Sequence, residues 1–103
     1  MPRIYKIYLG FRSDAYSLVV TVDHILLKAR PDLLPRITAP FFECGYIGNG
    51  PKLLSVSILA DLLHDDVIAV AECVHFESNI ISKLQRSQSW FLTSDHIRSA
   101  LFI

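Results

Sequence analysis

The sequence has little of what marks several classes of protein. Its two cysteines, Cys44 and Cys73, form no C-x-x-C pair, which excludes a disulfide-built scaffold or a zinc site and favours a reduced, cytoplasmic protein. Its most apolar run, Leu53–Leu63, includes two serines and an aspartate and is shorter than the roughly 20 residues of a membrane span. Arg3 and Lys6 interrupt the first apolar residues, which argues against a signal peptide. We therefore expect a cytoplasmic protein that has no membrane partner.

A charge of one sign is also lacking, since ten basic and ten acidic residues cancel at pH 7. The chain has no strong basic field of the kind that drives tight binding to phosphates. Residues 1–52 nevertheless hold seven basic and four acidic groups, a net +3, and residues 53–103 hold three basic and six acidic groups, a net −3. The two halves could pair with those of a second copy or present a basic face to an acidic partner. The alternative is that these are simply solvated charges.

Apolar residues are abundant. Of the 103 residues, 51% are hydrophobic and 19% are charged, which excludes the low hydrophobicity and high net charge of disordered chains. The length suits one domain with one core. We predict a single domain over residues 1–103.

The N-terminal part shows the alternation of apolar and other side chains that is typical of strands. It runs over Arg3–Leu9 and again over Tyr16–Val22, with a turn-like composition at Gly10–Ala15 between them, which predicts a β-hairpin. The Asp-His pair that follows indicates a tight turn, after which Ile25–Lys28 could return as a short third strand.

A connecting loop and a helix are predicted in the middle of the chain. Three prolines within Arg30–Pro40 favour an extended loop, because proline fixes φ and removes a hydrogen-bond donor. The glycine-rich segment after it leads into Pro51, a residue typical of the first turn of a helix. Pro51–Leu63 is apolar on most sides, which predicts a helix at the centre of the core.

A second helix is predicted after the His-Asp-Asp break, with Asp65 or Asp66 as its N-cap and an end near Leu84. The residues expected to face the core are Val67, Val70, Ala71, Val74, Ile81 and Leu84, with Phe76 and Ile80 alongside them, and those expected to face water are Glu72, Glu77, Ser78 and Lys83.

The last part of the chain is predicted to close the core with a short helix. Trp90–Leu92 is a short apolar stretch, and Thr93 or Ser94 can cap a helix over Asp95–Leu101. Together the elements predict an α+β fold, in which an N-terminal antiparallel β-hairpin or three-stranded sheet packs on two longer helices plus a short C-terminal helix.

The turn before the central helix is the main candidate for a binding site. Gly48, Asn49 and Gly50 precede a helix start, where an anion could approach free backbone N–H groups, and Lys52 could add a positive charge. The spacing matches neither a P-loop nor a dinucleotide fingerprint, and Pro51 removes one donor. The alternative is that these glycines supply positive φ angles and close packing.

Two groups of side chains resemble parts of metal sites. Glu72 and His75 have the E-x-x-H spacing of di-iron bundles, but that chemistry needs a second motif and two more glutamates, so an exposed polar face is expected. The aspartates around His64 have no regular ligand spacing and indicate capping and solvation. We predict no metal site and no cofactor.

Nucleophilic catalysis finds no support either. Cys44 lies in the glycine-rich segment, but no base can be assigned to it, and Cys73 and His75 point away from each other on a helix. Because no nucleophile, base and oxyanion donors can be named together, we predict no catalytic residue and favour a non-enzymatic protein.

Nucleic-acid binding has one feature in its favour. Tyr5, Tyr8 and Tyr16 lie near basic residues of the predicted hairpin and could stack bases. Tyr5 and Tyr8 fall on opposite faces of their strand, however, so packing in the core or at an edge is the alternative.

A set of motifs runs through the remainder of the chain. It comprises the turn Phe42–Pro51 (FECGYIGNGP), Leu54, Ile58–Asp61, Phe76, and Trp90-x-Leu92-Thr93 before Ile97. The set resembles a family of small uncharacterised bacterial, plasmid and phage proteins, a domain of unknown function. Its members show an aromatic-x-x-Gly-Tyr-Gly-Gly-x-Gly-Pro turn and a C-terminal Trp-x-Leu-Thr-x-x-Glu-Ile. The likeness covers residues 41–101 well and the hairpin more weakly, and it implies a shared architecture without an assigned activity.

Three residues depart from the pattern of that family. Ile47 replaces a glycine, which makes the turn less open to a ligand. His64 replaces the glycine between the helices, where a residue in the left-handed conformation would end the first helix. His96 replaces the glutamate that would complete a capping box with Thr93.

The composition and the C-terminus together predict self-association. Leu101, Phe102 and Ile103 are large apolar side chains at a terminus and form a candidate interface. A two-fold homodimer joined around the C-terminal helix, or edge to edge along the hairpin, would cover them, and the alternative is that they fold back on their own core. We predict a small protein-interaction or self-associating module, with an unidentified protein partner as a further candidate. The alternative is a phage- or plasmid-type nucleic-acid-associated accessory protein.

Overall fold

A four-stranded antiparallel sheet packed with helices makes up the computed structural model, which describes residues 5–13, 17–39 and 41–101. In chain order the elements are β1 (Ile7–Arg12), β2 (Leu18–Val22), β3 (Ile25–Leu26), a 3-10 turn at Pro31–Leu33, α1 (Asn49–Leu63), α2 (Asp66–Asn79), a 3-10 turn at Ile81–Lys83, β4 (Trp90–Thr93) and α3 (Ser94–Ser99). The predicted α+β class is confirmed.

The predicted hairpin is formed by β1 and β2, with Tyr8 opposite Val22. β1 continues to Arg12, past the residue at which a turn was expected, because Gly10 pairs on both sides within the sheet. The tight turn after β2 has two residues with positive φ, 49° and 73°, and it leads into β3, which is two residues long rather than four. The first residues of the two predicted hairpin strands lie outside the described residues.

β4 is the main difference from the expected sheet. Trp90–Leu92, expected only as an apolar stretch, forms β4 together with Thr93 and pairs antiparallel with β1, so the strand order is β3-β2-β1-β4. A β-carbon on Gly10 would lie 2.2 Å from the Trp90 ring, so the glycine lets the indole lie across β1. The sheet therefore has four strands instead of two or three, and β1 lies inside it.

α1 is the centre of the core, as its apolar sequence predicts. Nearly every residue from Leu53 to Leu62 is buried, and the helix packs extensively against α2. It ends at His64, which adopts the left-handed conformation with φ of 52° and donates its N–H to the carbonyl of Ala60. His64 thus ends the helix in the geometry expected of the family's glycine.

α2 differs from its prediction in length and in orientation. It begins as expected, since Asp65 accepts a hydrogen bond from the Ile68 N–H at 3.0 Å, but it ends at Asn79, and a 3-10 turn follows. The expected inward residues Val67, Val70, Ala71 and Val74 are exposed, and the packed face consists of Ala69, Glu72, Cys73, Phe76 and Glu77. The helix has apolar side chains on two faces, and the face that packs is the one that carries Ala69, Cys73 and Phe76.

α3 is the predicted C-terminal helix, over a shorter range. Thr93 is its N-cap and accepts a hydrogen bond from the His96 N–H at 3.1 Å, without the glutamate of a capping box. Ile97 is buried in the core, and Leu101 packs partly against it. The Oγ of Ser94 accepts from the Lys6 N–H, which ties the start of this helix to the N-terminal strand.

Candidate interaction surface

Among the described residues of the four strands, those that face away from the helices are apolar side chains and threonines, and none of them is charged. Alternation along β1 buries Tyr8 and Gly10 and turns the residues between and beside them outward. The same alternation applies in β2 and β4. The outward-facing set, which we call the outer face, comprises Ile7, Leu9, Phe11, Val19, Thr21, Leu26, Phe91 and Thr93.

A row of side chains crosses the outer face from one edge of the sheet to the other. Phe91 lies opposite Leu9, Leu9 opposite Thr21, and Thr21 opposite Leu26. Phe91 is 64% exposed and Leu26 is 70% exposed. Antiparallel sheets with one solvated face usually present polar residues there. An exposed apolar face of this kind is typical of a surface that contacts another molecule.

The turn expected to bind an anion holds a carboxylate of the protein itself. The Gly48 N–H donates to Oε2 of Glu77 at 2.9 Å, and Nζ of Lys52 lies 3.6 Å from Oε1 of the same side chain. Asn49 donates its amide to the Thr38 carbonyl at 3.3 Å. Binding of an external anion there stays a prediction, and it would compete with this internal carboxylate.

Glu77 was expected to face water, and that prediction is wrong. The side chain is 1% exposed, since α2 turns it towards the start of α1. The negative charge lies at the helix N-terminus, where the backbone N–H groups and the helix dipole stabilise an anion. No sequence spacing could have revealed this pair, because the lysine lies near the start of one helix and the glutamate near the end of another.

Gly50 contributes close packing rather than an unusual backbone angle. Among the described glycines, Gly45 is the one with a positive φ, at 88°. A β-carbon on Gly50 would lie 2.8 Å from Cβ of Glu43, whose carboxylate forms a two-pronged hydrogen bond with Arg12. This bond holds the pKa of Glu43 below its ordinary value. The alternative reading of the turn, close packing, therefore matches the contacts at Gly50.

The acidic residues near His64 bind separate partners. Asp61 accepts hydrogen bonds from the Tyr8 hydroxyl at 2.6 Å and from Nζ of Lys6 at 3.1 Å. Asp66 pairs with Arg30 at 2.8 Å, while Asp65 caps α2. These carboxylates do not converge on one point.

Glu72 and His75 do not form an exposed polar pair either. Glu72 is buried, contrary to the prediction, and His75 lies within hydrogen-bond distance of the Asn79 amide. Within the described part of the chain, no three histidine, cysteine, aspartate or glutamate side chains are grouped as metal ligands would be.

Both cysteines are free and buried. Burial raises the pKa of the Cys44 thiol, and burial likewise raises the pKa of the Cys73 thiol. Cys44 lies beside Trp90, whose buried indole N–H has no oxygen or nitrogen partner in the structure. A buried thiol with a raised pKa contains little of the thiolate that acts as nucleophile.

Of the tyrosines expected to stack on nucleic acid, the two that the structure describes do not share a surface. Tyr8 is fully buried, Tyr5 is exposed, and Tyr16 lies outside the described residues. Lys6 and Arg12 are each paired with a carboxylate. The geometry therefore adds no observation in favour of nucleic-acid binding.

The C-terminal candidate interface is described only at its first residue. Leu101 is half-buried against the core, and Phe102 and Ile103 lie outside the described residues. The structure instead reveals the outer face, whose β1 and β2 residues alternate in the sequence but whose full extent depends on β4.

The described residues form an α+β fold in which one side of the sheet is apolar and exposed. The chain belongs to a family of unknown function, DUF6166, whose model matches residues 8–102. No curated protein and no solved structure matches the chain. None of the helices in the described part of the chain combines the length and the apolar character needed to cross a bilayer.

Proposed function

We propose that the protein is a small, non-enzymatic protein-interaction module that self-associates through the outer face of its sheet. The observation that supports the proposal is the row from Phe91 to Leu26, which crosses all four strands and contains no charge. Packing this row against a second copy would remove apolar surface from water, which is the main driving force of association. A face without charges also meets its own copy without repulsion, as a two-fold contact requires.

The proposal is tested by the concentration dependence of the mass in sedimentation velocity. We expect the wild-type protein to associate at micromolar concentration and Leu9→Lys to weaken that association, because the lysine would place a charge at the centre of the face. Val74→Lys is the matched control, since it also adds a lysine at an exposed apolar site, but on α2. A wild-type protein that stays monomeric, or equal effects of the two variants, would contradict the proposal.

The C-terminal residues stay a second proposed contact. Deletion of Leu101, Phe102 and Ile103 should leave the association of the outer face intact if those residues only cover their own core. A deletion that converts an oligomer into a soluble, folded monomer would instead assign the interface to the C-terminus. Association with nucleic acid, the alternative function, predicts salt-dependent retention on heparin, which an apolar contact does not.

A further inference from the structure

In the described sheet, the longer of the two edge strands is β4, with four residues. The Ser94 N–H donates to the Lys6 carbonyl at 2.9 Å, and Tyr8 lies opposite Leu92. Because bonding alternates along an antiparallel pair, Leu92 directs its backbone groups towards β1, and Phe91 directs its N–H and carbonyl away from the sheet. No backbone hydrogen bond joins the outer edge of β4 to any other described segment.

The edge strand β4 lacks the residues by which proteins usually prevent an edge strand from pairing with another chain. β4 contains no proline, lysine or other charged residue, and Phe91 at its middle is largely exposed. The opposite edge, β3, is only two residues long. An extended strand that adds to the sheet would therefore pair with β4.

The size of the outer face favours a second copy as the strand that pairs there. Four strands about 4.8 Å apart, rising about 3.4 Å per residue over six, five, two and four residues, present a face of roughly 280 Å² in projection. Each partner in a standard interface buries roughly 800 Å². One sheet alone thus offers about a third of the usual area, and two sheets joined at an edge would offer about two thirds of it.

We propose that two copies pair their β4 strands antiparallel about a two-fold axis at Phe91, which joins their sheets into one of eight strands. At this register the outward N–H and carbonyl of each Phe91 bond to those of the other, and the two rings lie side by side on the same face. The apolar row then runs without interruption from Leu26 of one copy to Leu26 of the other. The inference rests on the proposed self-association through the outer face. The full assembly then consists of two eight-stranded sheets packed face to face, which is a tetramer.

The first test uses the mass of the assembly to distinguish pairing at the β4 edge from packing of the outer faces. We expect the wild-type protein to reach a tetramer and Leu9→Lys to stop at a dimer held by the edge. In the Leu9→Lys background, Phe91→Pro removes the outward N–H and should give a monomer, whereas Phe91→Thr keeps the donor and should leave a dimer. Thermal unfolding of each variant checks that it folds.

The second test uses the protein without any substitution. The Phe91 amide should exchange its hydrogen more slowly as protein concentration rises, while the Leu92 amide, which bonds within its own sheet, should be protected at every concentration. A Phe91 amide that exchanges fast in the assembled protein would overturn the edge pairing. A wild type that is only dimeric and a Leu9→Lys variant that is monomeric would also overturn it. In both cases the proposed self-association through the outer face would stand. A wild type that never associates would overturn both.

Discussion

At the scale of single residues, the Glu77 side chain contacts the start of α1, in the turn that the sequence predicts as an anion site. The carboxylate is almost fully buried, accepts a hydrogen bond from the Gly48 N–H and forms an ion pair with the Lys52 ammonium. A buried charge is costly unless it is paired and hydrogen-bonded. Each of these two partners is therefore expected to contribute to stability.

The contribution of Lys52 to stability can be tested with a substitution that keeps an unbranched aliphatic side chain and removes the charge. Lys52→Met should lower the free energy of unfolding by about 1–3 kcal/mol, because it leaves the Glu77 carboxylate buried without its ion-pair partner. Lys28→Met, at an exposed position, is the control and should change little. Urea unfolding measures both. Loss of phosphate binding in Lys52→Met with unchanged stability would instead support an external anion site.

Gly50 is tested by adding the β-carbon that the packing forbids. Gly50→Ala should cost about 1–3 kcal/mol, because the new methyl group meets Cβ of Glu43 and that side chain is held by Arg12. Gly48→Ala should cost less, since its methyl group meets only the ring of Tyr46, which is partly exposed. Thermal unfolding compares the two variants, and an equal loss of stability would contradict this account.

At the scale of elements, hydrogen bonds to the Asp61 carboxylate connect the N-terminal part of the chain to the central helix. The Tyr8 hydroxyl of β1 donates to Asp61 of α1, and Lys6 donates to the same carboxylate. Burial and the neighbouring carboxylate raise the pKa of Tyr8 well above its ordinary range. Both effects favour the protonated phenol, which alone can donate this hydrogen bond.

The contact predicts a loss of stability in alkali. Above about pH 10 the unfolded chain releases the Tyr8 proton and the folded chain keeps it, so the free energy of unfolding falls by up to about 1.4 kcal/mol per pH unit. Below pH 10 this contribution is fully present. Tyr8→Phe should remove that part of the slope and cost about 1–3 kcal/mol at neutral pH, because the bond to a charged acceptor is lost.

Urea unfolding between neutral pH and pH 11 measures the effect. Tyr46→Phe, which removes a phenol from a partly exposed ring, is the control. A slope that is the same in the wild type and in Tyr8→Phe would show that Tyr8 does not carry the alkaline loss.

At the scale of the whole molecule, the uneven charge of the sequence is largely cancelled by internal ion pairs. Lys6 pairs with Asp61, Arg30 with Asp66, and Lys52 with Glu77, and each pair joins the basic part of the chain to the acidic part. Three of the basic residues that could pair with a second copy are thus engaged within one copy. The proposed association of the outer faces would therefore depend on apolar surface rather than on these charges.

The apolar character of the proposed interface predicts how salt acts on self-association. An oligomer held by the outer face should persist in about 1 M NaCl, because screening weakens contacts between exposed charges and leaves apolar burial intact. Sedimentation velocity at low and high salt measures it. Dissociation by salt would point to pairing between oppositely charged halves of two copies, and binding to heparin at low salt would favour the nucleic-acid alternative.

The sequence by itself determined the elements whose signals are local. The alternation in the hairpin, the apolar run of α1 and the caps at Asp65 and Thr93 each depend on neighbouring residues, and the structure contains them all. The α+β class follows from these elements. The number of strands does not, because Trp90–Thr93 is too short and too uniformly apolar to show a period of its own.

The tertiary structure decided which apolar and charged side chains are covered. α2 has apolar residues on two faces, and only its packing against α1 selects Ala69 and Phe76 over Val67 and Val74. The same docking buries Glu77 at a helix start 29 residues away in sequence. β4 completes the outer face by pairing with β1 across most of the chain. Contacts between distant segments leave no periodic trace in the sequence, since each depends on where the other segment comes to lie.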